Sequence, residues 1–430
     1  MSVPTQSVPV QTAPSTGVPA GVATGSPDHS RLGSKQHSDG GWGLVPIQVR
    51  SARFASFDIG DFETVTGQEL EWKHTPVARL APLLDGTLDG DIEPVTGVAT
   101  SGDPCLIEWV DRSDPRIGRA GKPEERASAN AWSSFTRALL ITVGGEHHSE
   151  ATVTRSALGG SARAAHTVIH ATHHSVGTVV LQNSGAALLS ENVEIILDEG
   201  AQLTVVTVQQ WDSDAIHLAS HFARIGRDAR LRHVVVSLGG SVVRVNPSTH
   251  LASEGADVEL YGVYFADAGQ HLEQQVFVNH DAPNSRSRVT YKGALQGEGA
   301  HTVWVGDVLI RPTAAGTDSY EQNRNLLLTD GTRADSIPNL EIETGDIAGA
   351  GHASASGRFD DEQLFYLQAR GIAEAEARRL VVRGFLSEVV QKIGSPALEA
   401  RLQDAILAKL SAGAEDQNSS DDDHTGGDQP

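Results

Sequence analysis

The sequence is poor in thiols: among 430 residues there is one cysteine, Cys105. That excludes an internal disulfide framework and any cluster or zinc site ligated by this chain's own thiolates, and it fits a reducing compartment. Basic residues are scarce as well, 33 Lys and Arg against 55 Asp and Glu, for a formal charge of −22. A surface of that sign repels phosphate backbones and anionic headgroups, so neither nucleic acid nor a membrane is expected as a partner. No stretch approaches about eighteen consecutive apolar residues, so no bilayer-spanning helix is expected. From Met1 to Ser30 there is no Lys or Arg, and Pro and Gly interrupt each apolar run. A secretory leader is therefore not expected, and the chain reads as cytoplasmic. Aromatics make up only 5% of the chain, so the core must come from small and β-branched side chains, with 44 glycines supplying turns. This favours a β-rich protein over a helical bundle. Also missing are a Walker A loop and a G-x-G-x-x-G opening a helix after a strand, so no ATP site of its own is expected.

What is present changes character along the chain. Residues 1–43 are rich in Ser, Thr, Pro, Val and Gly and are expected to be a disordered tail. Residues 44–135 read as a mixed α/β region, with a short strand at Val45–Arg50 and a helix leading into a turn over Gln68–Pro76. From 136 to 358 the pattern is one of short apolar runs bounded by turn residues, as at Val176–Leu181, Val193–Leu197, Leu203–Val208, Leu231–Leu238 and Val258–Tyr264. Ala201, Ala229 and Ala256 each open such a run, at a spacing of 28 and then 27 residues. A drifting repeat of short strands predicts a parallel β-helix, in which each rung buries its neighbour; an antiparallel sandwich is the alternative on pattern alone. Residues 359–411 turn helical. Asp360 and Gln363 resemble a capping box, Gly371 a stop, and Ser395–Pro396 a third start. Ala377, Leu380, Val381, Gly384, Phe385, Val389 and Ile393 form one apolar stripe, and Leu398, Leu402, Ala405, Ile406 and Leu410 another. Residues 412–430, with Asp421, Asp422 and Asp423, read as a disordered acidic tail.

Several residues could carry chemistry. His166, His170, His173 and His174 lie close together, and His217 is four residues from His221, but strand and turn context spoils helical metal-ligand spacing. These histidines are expected to be solvent-exposed or in turns. Cys105, beside an apolar run, is expected to be a small core residue. Glu341, Glu343 and Asp346 are expected to be solvated. His352 differs: it sits among Gly349, Ala350, Gly351, Ala353 and Ser354, where strand pattern yields to helix. Small neighbours leave its imidazole accessible to a metal or to another subunit.

The stretch from Asn279 to Ile393 is similar to the C-terminal half of the SufB/SufD family of iron–sulfur cluster assembly proteins. The residues that carry the resemblance are His280–Ser287, Tyr291-Lys292-Gly293, Gly316–Leu328, Asp335–Ile342, Gly351-His352-Ala353 and, most specifically, Gly357–Ile372. Glu71-Trp72-Lys73-His74-Thr75 resembles an N-terminal family motif. The resemblance implies a mainly β fold, a right-handed parallel β-helix core with an N-terminal mixed region and a C-terminal helical domain. It implies a non-catalytic scaffold that pairs with SufB, binds the SufC ATPase through its C-terminal helices, and forms a possible homodimer without SufB. Leu364, Phe365, Leu380, Val381, Phe385 and Val389 are the docking residues so implied. His352 matches a family histidine at the subunit interface, where it would meet iron or a nascent iron–sulfur cluster shared transiently with SufB. The cysteine common near that histidine is absent, Gly349, Ala350 and Gly351 standing there. The sulfur-accepting cysteines of SufB are absent as well, which points to the branch that pairs with SufB. A β-helix polysaccharide lyase or hydrolase and a homo-oligomeric binding protein are the other readings of the same architecture.

Overall fold

The computed structural model describes residues 53–91, 97–102, 105–358 and 361–423, the side chains of 361–363 and 412–423 excepted. Strands β1 (Gly97–Gly102) and β2 (Cys105–Asp111) are followed by paired strands that make successive rungs. These are β3 (Arg137–Val143) with β4 (Ser149–Ser156), β5 (Ala162–Ala171) with β6 (Val176–Gly185), and β7 (Leu188–Leu197) with β8 (Gln202–Trp211). Next come β9 (Ile216–Ile225) with β10 (Arg230–Ser237), and β11 (Val242–Leu251) with β12 (Asp257–Ala266). The last three are β13 (His271–His280) with β14 (Arg286–Leu295), β15 (His301–Ile310) with β16 (Thr317–Leu327), and β17 (Arg333–Ile342) with β18 (Ile347–Arg358). From β3 onward odd and even strands form separate nine-stranded sheets, the odd-numbered one begun by β2 and ending at β17, the even-numbered one begun by β1 and ending at β18.

Between rungs every pairing is parallel, for example Arg230 with Gln202 on one side and Asp257 on the other. The fold is thus a parallel β-helix, and the antiparallel sandwich is ruled out. Among the described residues antiparallel pairing is confined to β1 on β4 and β2 on β3, at the first rung. The faint alanine repeat is the rung period itself: Ala201, Ala229 and Ala256 are buried side by side at the turns that start β8, β10 and β12.

Alternation along each strand sends every second side chain inward. Leu203, Val205, Leu231, Val235, Val258 and Leu260 stack into a continuous interior cluster. Each such side chain contributes about 1.5–3 kcal/mol when fully buried, and only adjacent rungs can bury it. The outer faces are covered too. Helices α1 (Ala81–Leu84) and α2 (Arg126–Ser134) pack Leu83, Leu84, Ala127 and Ala131 with Trp72 on Ala164, Leu218 and Val242 of the odd-numbered sheet. The Glu71–Thr75 motif is the fastener of this layer. Trp72 lies under the Arg244 guanidinium at 3.7 Å, and Thr75 donates to Glu273 at 2.8 Å.

Of the C-terminal helices α3 (Asp361–Gln368), α4 (Glu374–Val390) and α5 (Pro396–Asp423), α4 and α5 cover the even-numbered sheet and α3 packs on α4. Val382, Leu386, Val389, Leu402 and Ile406 pack on Val206, Val234, Val236, Val263 and Phe265.

Three expectations need correction or fall outside. The Gln68–Pro76 segment is turns rather than a helix, because Glu69 bonds back to the amides of Thr66 and Gly67 and Gly67 takes a φ of 84°. Helix α5 continues to Asp423, into the segment expected to be a disordered tail; Ala412, Ala414 and Glu415 are good helix formers. Residues 1–43, the Val45–Arg50 strand and residues 424–430 lie outside the described residues.

Candidate functional site

The last rung is where the solenoid stops and its interior row of side chains reaches the surface. Among the described residues strand β18 lies at the end of its sheet and pairs only with β16. The register sets Glu321 opposite His352, Asn323 opposite Ser354 and Asn325 opposite Ser356. Glu321, Asn323 and Asn325 are buried, whereas His352, Ser354 and Ser356 are exposed because no further rung among the described residues covers them. Gly349, Gly351 and Ala353 keep the backbone around His352 bare, so the imidazole is open to approach from outside. Tyr320 and Ile342 also stand exposed at this end.

Beneath His352 the interior is polar. Glu321 is 1% exposed, and neither of its carboxylate oxygens has a hydrogen-bond partner. Burial pushes its pKa up to about 8, helped by the Asp307 charge, against a weaker opposing effect of the Asn339 backbone. The carboxyl is therefore largely protonated at neutral pH, since a charge there would be unpaired in a dry interior. The Trp304 indole N–H and the Ser336 hydroxyl are likewise buried without partners. Farther along the strand, Asn323 donates to the Tyr264 hydroxyl at 2.7 Å, and Asn325 donates to Ser356 at 3.0 Å. Polar interior groups thus connect to the exposed end.

Among the described residues no group of three or more His, Cys, Asp or Glu side chains could hold a metal ion. His352 stands as a single imidazole on β18 rather than as part of such a group. Cys105 is not brought near it: it lies on β2, at the opposite end of the sheets, half-buried with its Sγ 3.4 Å from Ser149 Oγ.

The clustered histidines are not the exposed residues expected. His166 is buried against Phe135, at 4.2 Å between ring centroids, and bonds Glu194 at 2.9 Å, because the outer face of this sheet is covered by α2 and its flanks. His217 and His221 both point into the solenoid, since residues four apart on a strand share a face. There the Trp211 indole donates to His217 Nδ1 at 3.1 Å, which leaves Nε2–H to donate to Glu191 at 2.9 Å. Burial alone would raise the pKa of Glu191, but Arg155, its ion-pair partner, and His217 hold it well below the usual carboxylate range. His221 shares a hydrogen bond with His233 at 3.1 Å, and burial lowers its pKa to about 4. Only His173 and His174 keep the expected turn placement, and His170, partly buried, bonds Asp198 at 2.8 Å. Period-two patterning hid these pairs, because their partners come from neighbouring rungs.

The six residues assigned to docking divide. Val389 and Leu364 are buried, and Phe385 packs half-buried on the same cluster under Lys292. The buried stripe of α4 is Ala377, Val382, Leu386, Val389 and Val390, rotated from the expected one because the even-numbered sheet receives it. Val381 is half-buried at its rim. Phe365, 71% exposed, and Leu380, 40% exposed, face outward beside Tyr366. Most of the apolar surface of α4 and α5 is therefore spent on the protein's own sheet.

A family model described as "SUF system FeS cluster assembly, SufBD core domain" matches residues 153–385. A Mycobacterium bovis protein named as an iron–sulfur cluster assembly SufBD family protein is 50% identical over 370 residues, covering 83% of this chain and 92% of the relative. A Mycobacterium leprae protein of the same description is 47% identical over 372 residues, 83% of this chain and 93% of its own length. A second, longer M. leprae protein so described is 30% identical over 221 residues, 51% of this chain and 25% of the relative.

Proposed function

Because the chain belongs to the SufBD family of iron–sulfur cluster assembly proteins, we propose that it is the SufD-type scaffold subunit, non-catalytic and acting in the cytoplasm. It pairs with SufB through the last rung, around Tyr320, Ile342 and β18, and forms a homodimer when SufB is lacking. SufC, the ATPase, docks on the outward side of the C-terminal helices, at Phe365 and Leu380. The observation that carries this reading is the open rung: an exposed imidazole among small residues, on a strand with an unpaired edge.

His352 acts as an imidazole ligand to iron or to the nascent cluster, which is cargo and not a resident group. Thiolates are the usual ligands of such clusters, and Cys105 lies at the far end of the solenoid, so sulfur ligands come from the partner. The neutral Glu321 below adds no fixed negative charge to the site.

The test is recovery of partners. A tagged copy of this chain, expressed in a mycobacterial host, should co-purify SufB and SufC homologues in stoichiometric amounts. Recovery of the chain alone, at native expression and moderate salt, would refute the scaffold reading. Replacing Phe365 and Leu380 by Ala should remove SufC and keep SufB.

A further inference from the structure

A second imidazole site lies on the outer face of the odd-numbered sheet, away from His352. His271 opens β13 and His301 opens β15, and the register pairs them directly. Their Nδ1 atoms are 3.1 Å apart. On the far side of each ring, His271 Nε2 bonds Glu273 Oε2 at 2.9 Å, and His301 Nε2 bonds Asp335 Oδ2 at 2.7 Å. Both carboxylates are braced. Arg244, Thr75 and Gln275 hold Glu273, and Arg333 holds Asp335. His74 stands beyond, its Nδ1 3.5 Å from the same Asp335 oxygen.

This network assigns the protons. Each Nε2–H is committed to a carboxylate, so the two Nδ1 atoms face each other across a single shared proton. A histidine that ligates a metal usually donates its other ring N–H to a carboxylate, which fixes the tautomer and raises ligand basicity. Here that arrangement occurs twice, back to back. Two imidazole nitrogens each about 2.1 Å from one ion lie about 3.0 Å apart at a right angle and about 3.4 Å apart at the tetrahedral angle; the observed 3.1 Å falls between them. The ring centroids are only 4.8 Å apart with the planes at 73°, closer than a head-on nitrogen-to-nitrogen contact would place them. The two lone pairs therefore converge to one side of the line joining the nitrogens.

We propose that His271 and His301 form a binding site for one divalent transition-metal ion of intermediate softness, such as Fe2+, Co2+ or Zn2+. The ion takes the place of the proton between the Nδ1 atoms, which is released to solvent, and water fills its other positions. His301 is 20% exposed and His271 5%, so the ion enters from the His301 side. With two protein ligands the ion exchanges readily, as suits loading or storage rather than a structural metal. The site is independent of the role assigned to His352.

The experiment is anaerobic titration of the purified full-length chain with Co2+, followed by visible absorption. Calorimetry with Zn2+ in two buffers of different ionisation enthalpy counts the protons. The expected result is one equivalent bound with one proton released, binding at least about 10-fold weaker in His301→Ala, and binding retained in His352→Ala. Should His301→Ala unfold, 15N spectra of the wild-type histidines during Zn2+ addition decide instead, since the Nδ1 signals of both rings must move together. Unchanged binding in His301→Ala, loss of binding in His352→Ala, or no binding at millimolar ion would overturn the proposal; in the last case the pair holds a proton and nothing else.

Discussion

The Tyr264 hydroxyl donates to Asn325 Oδ1 at 2.7 Å although the residues are 61 positions apart. To reach it, the Tyr264 ring passes over Gly293, where a Cβ would come within 1.9 Å of the ring. Tyr264→Phe keeps the packing but leaves the buried Asn325 Oδ1 without its donor, while Asn323 keeps only its longer bond to the Tyr291 carbonyl at 3.2 Å as a donor. The expected loss is about 1–3 kcal/mol, read as a lower urea midpoint with an unchanged slope. Gly293→Ala should cost more, because the ring has no room to retreat.

The C-terminal helices separate residues that pack on the sheet from those proposed to dock the ATPase partner. Leu386 is fully buried against the sheet, and Leu386→Ala should lower stability by about 2–5 kcal/mol. Leu380→Ala and Phe365→Ala should change stability by less than about 0.5 kcal/mol, while weakening capture of the ATPase partner. Thermal melts and pull-downs on the same variants check both halves; equal destabilisation by all three would contradict the division.

Glu321 makes stability fall with alkalinity. Its folded pKa of about 8 lies above the ordinary value of 4.5, so the folded chain keeps a proton that the unfolded chain releases. Stability from this group is complete below pH about 4.5 and is lost progressively up to about 8. Glu321→Gln removes the effect. The variant should be more stable than wild type by a few kcal/mol (order of magnitude) at pH 8 and nearly equal at pH 5, in urea titrations across that range. A gap that does not widen with pH would show that Glu321 is ionised in the fold.

Buried histidines act in the opposite direction. Burial lowers the pKa of His280 to about 3 and that of His221 to about 4, from 6.5. Folding therefore excludes protons that the unfolded chain binds, and stability should fall as the pH drops from about 6.5 towards 4. His280→Asn, which can still bond the Ser285 hydroxyl that His280 Nδ1 meets at 2.7 Å but gives up the Ser287 hydroxyl at Nε2, should flatten that slope by up to about 1.4 kcal/mol per pH unit.

The solenoid was legible because its signal is local. Runs such as Leu203–Val208 alternate in type and recur at the rung period, so Ala201, Ala229 and Ala256 could be aligned by eye. The inward polar residues were not legible. His217 was expected to be exposed or in a turn, since its partner Glu191 lies 26 residues away on another rung and Glu191 in turn pairs with Arg155, 36 residues away. The helix stripe on α4 was misread by rotation: Leu380 and Val382 are both apolar, and only the sheet decides which of them is buried. His352 was singled out by its bare, glycine-flanked setting and by the family resemblance, whereas Glu321 beneath it carried no signal until the register was known. His271 and His301 escaped for the same reason, being 30 residues apart.

The central claim is that this chain lends a docking face and a lone imidazole to chemistry completed by its neighbours. The most direct measurement is the iron and acid-labile sulfide content of the complex co-purified with wild-type chain and with His352→Ala, after anaerobic loading. The account predicts equal recovery of the SufB- and SufC-type partners and a several-fold loss of both iron and sulfide in the variant. Full cluster content in a complex carrying His352→Ala would contradict it.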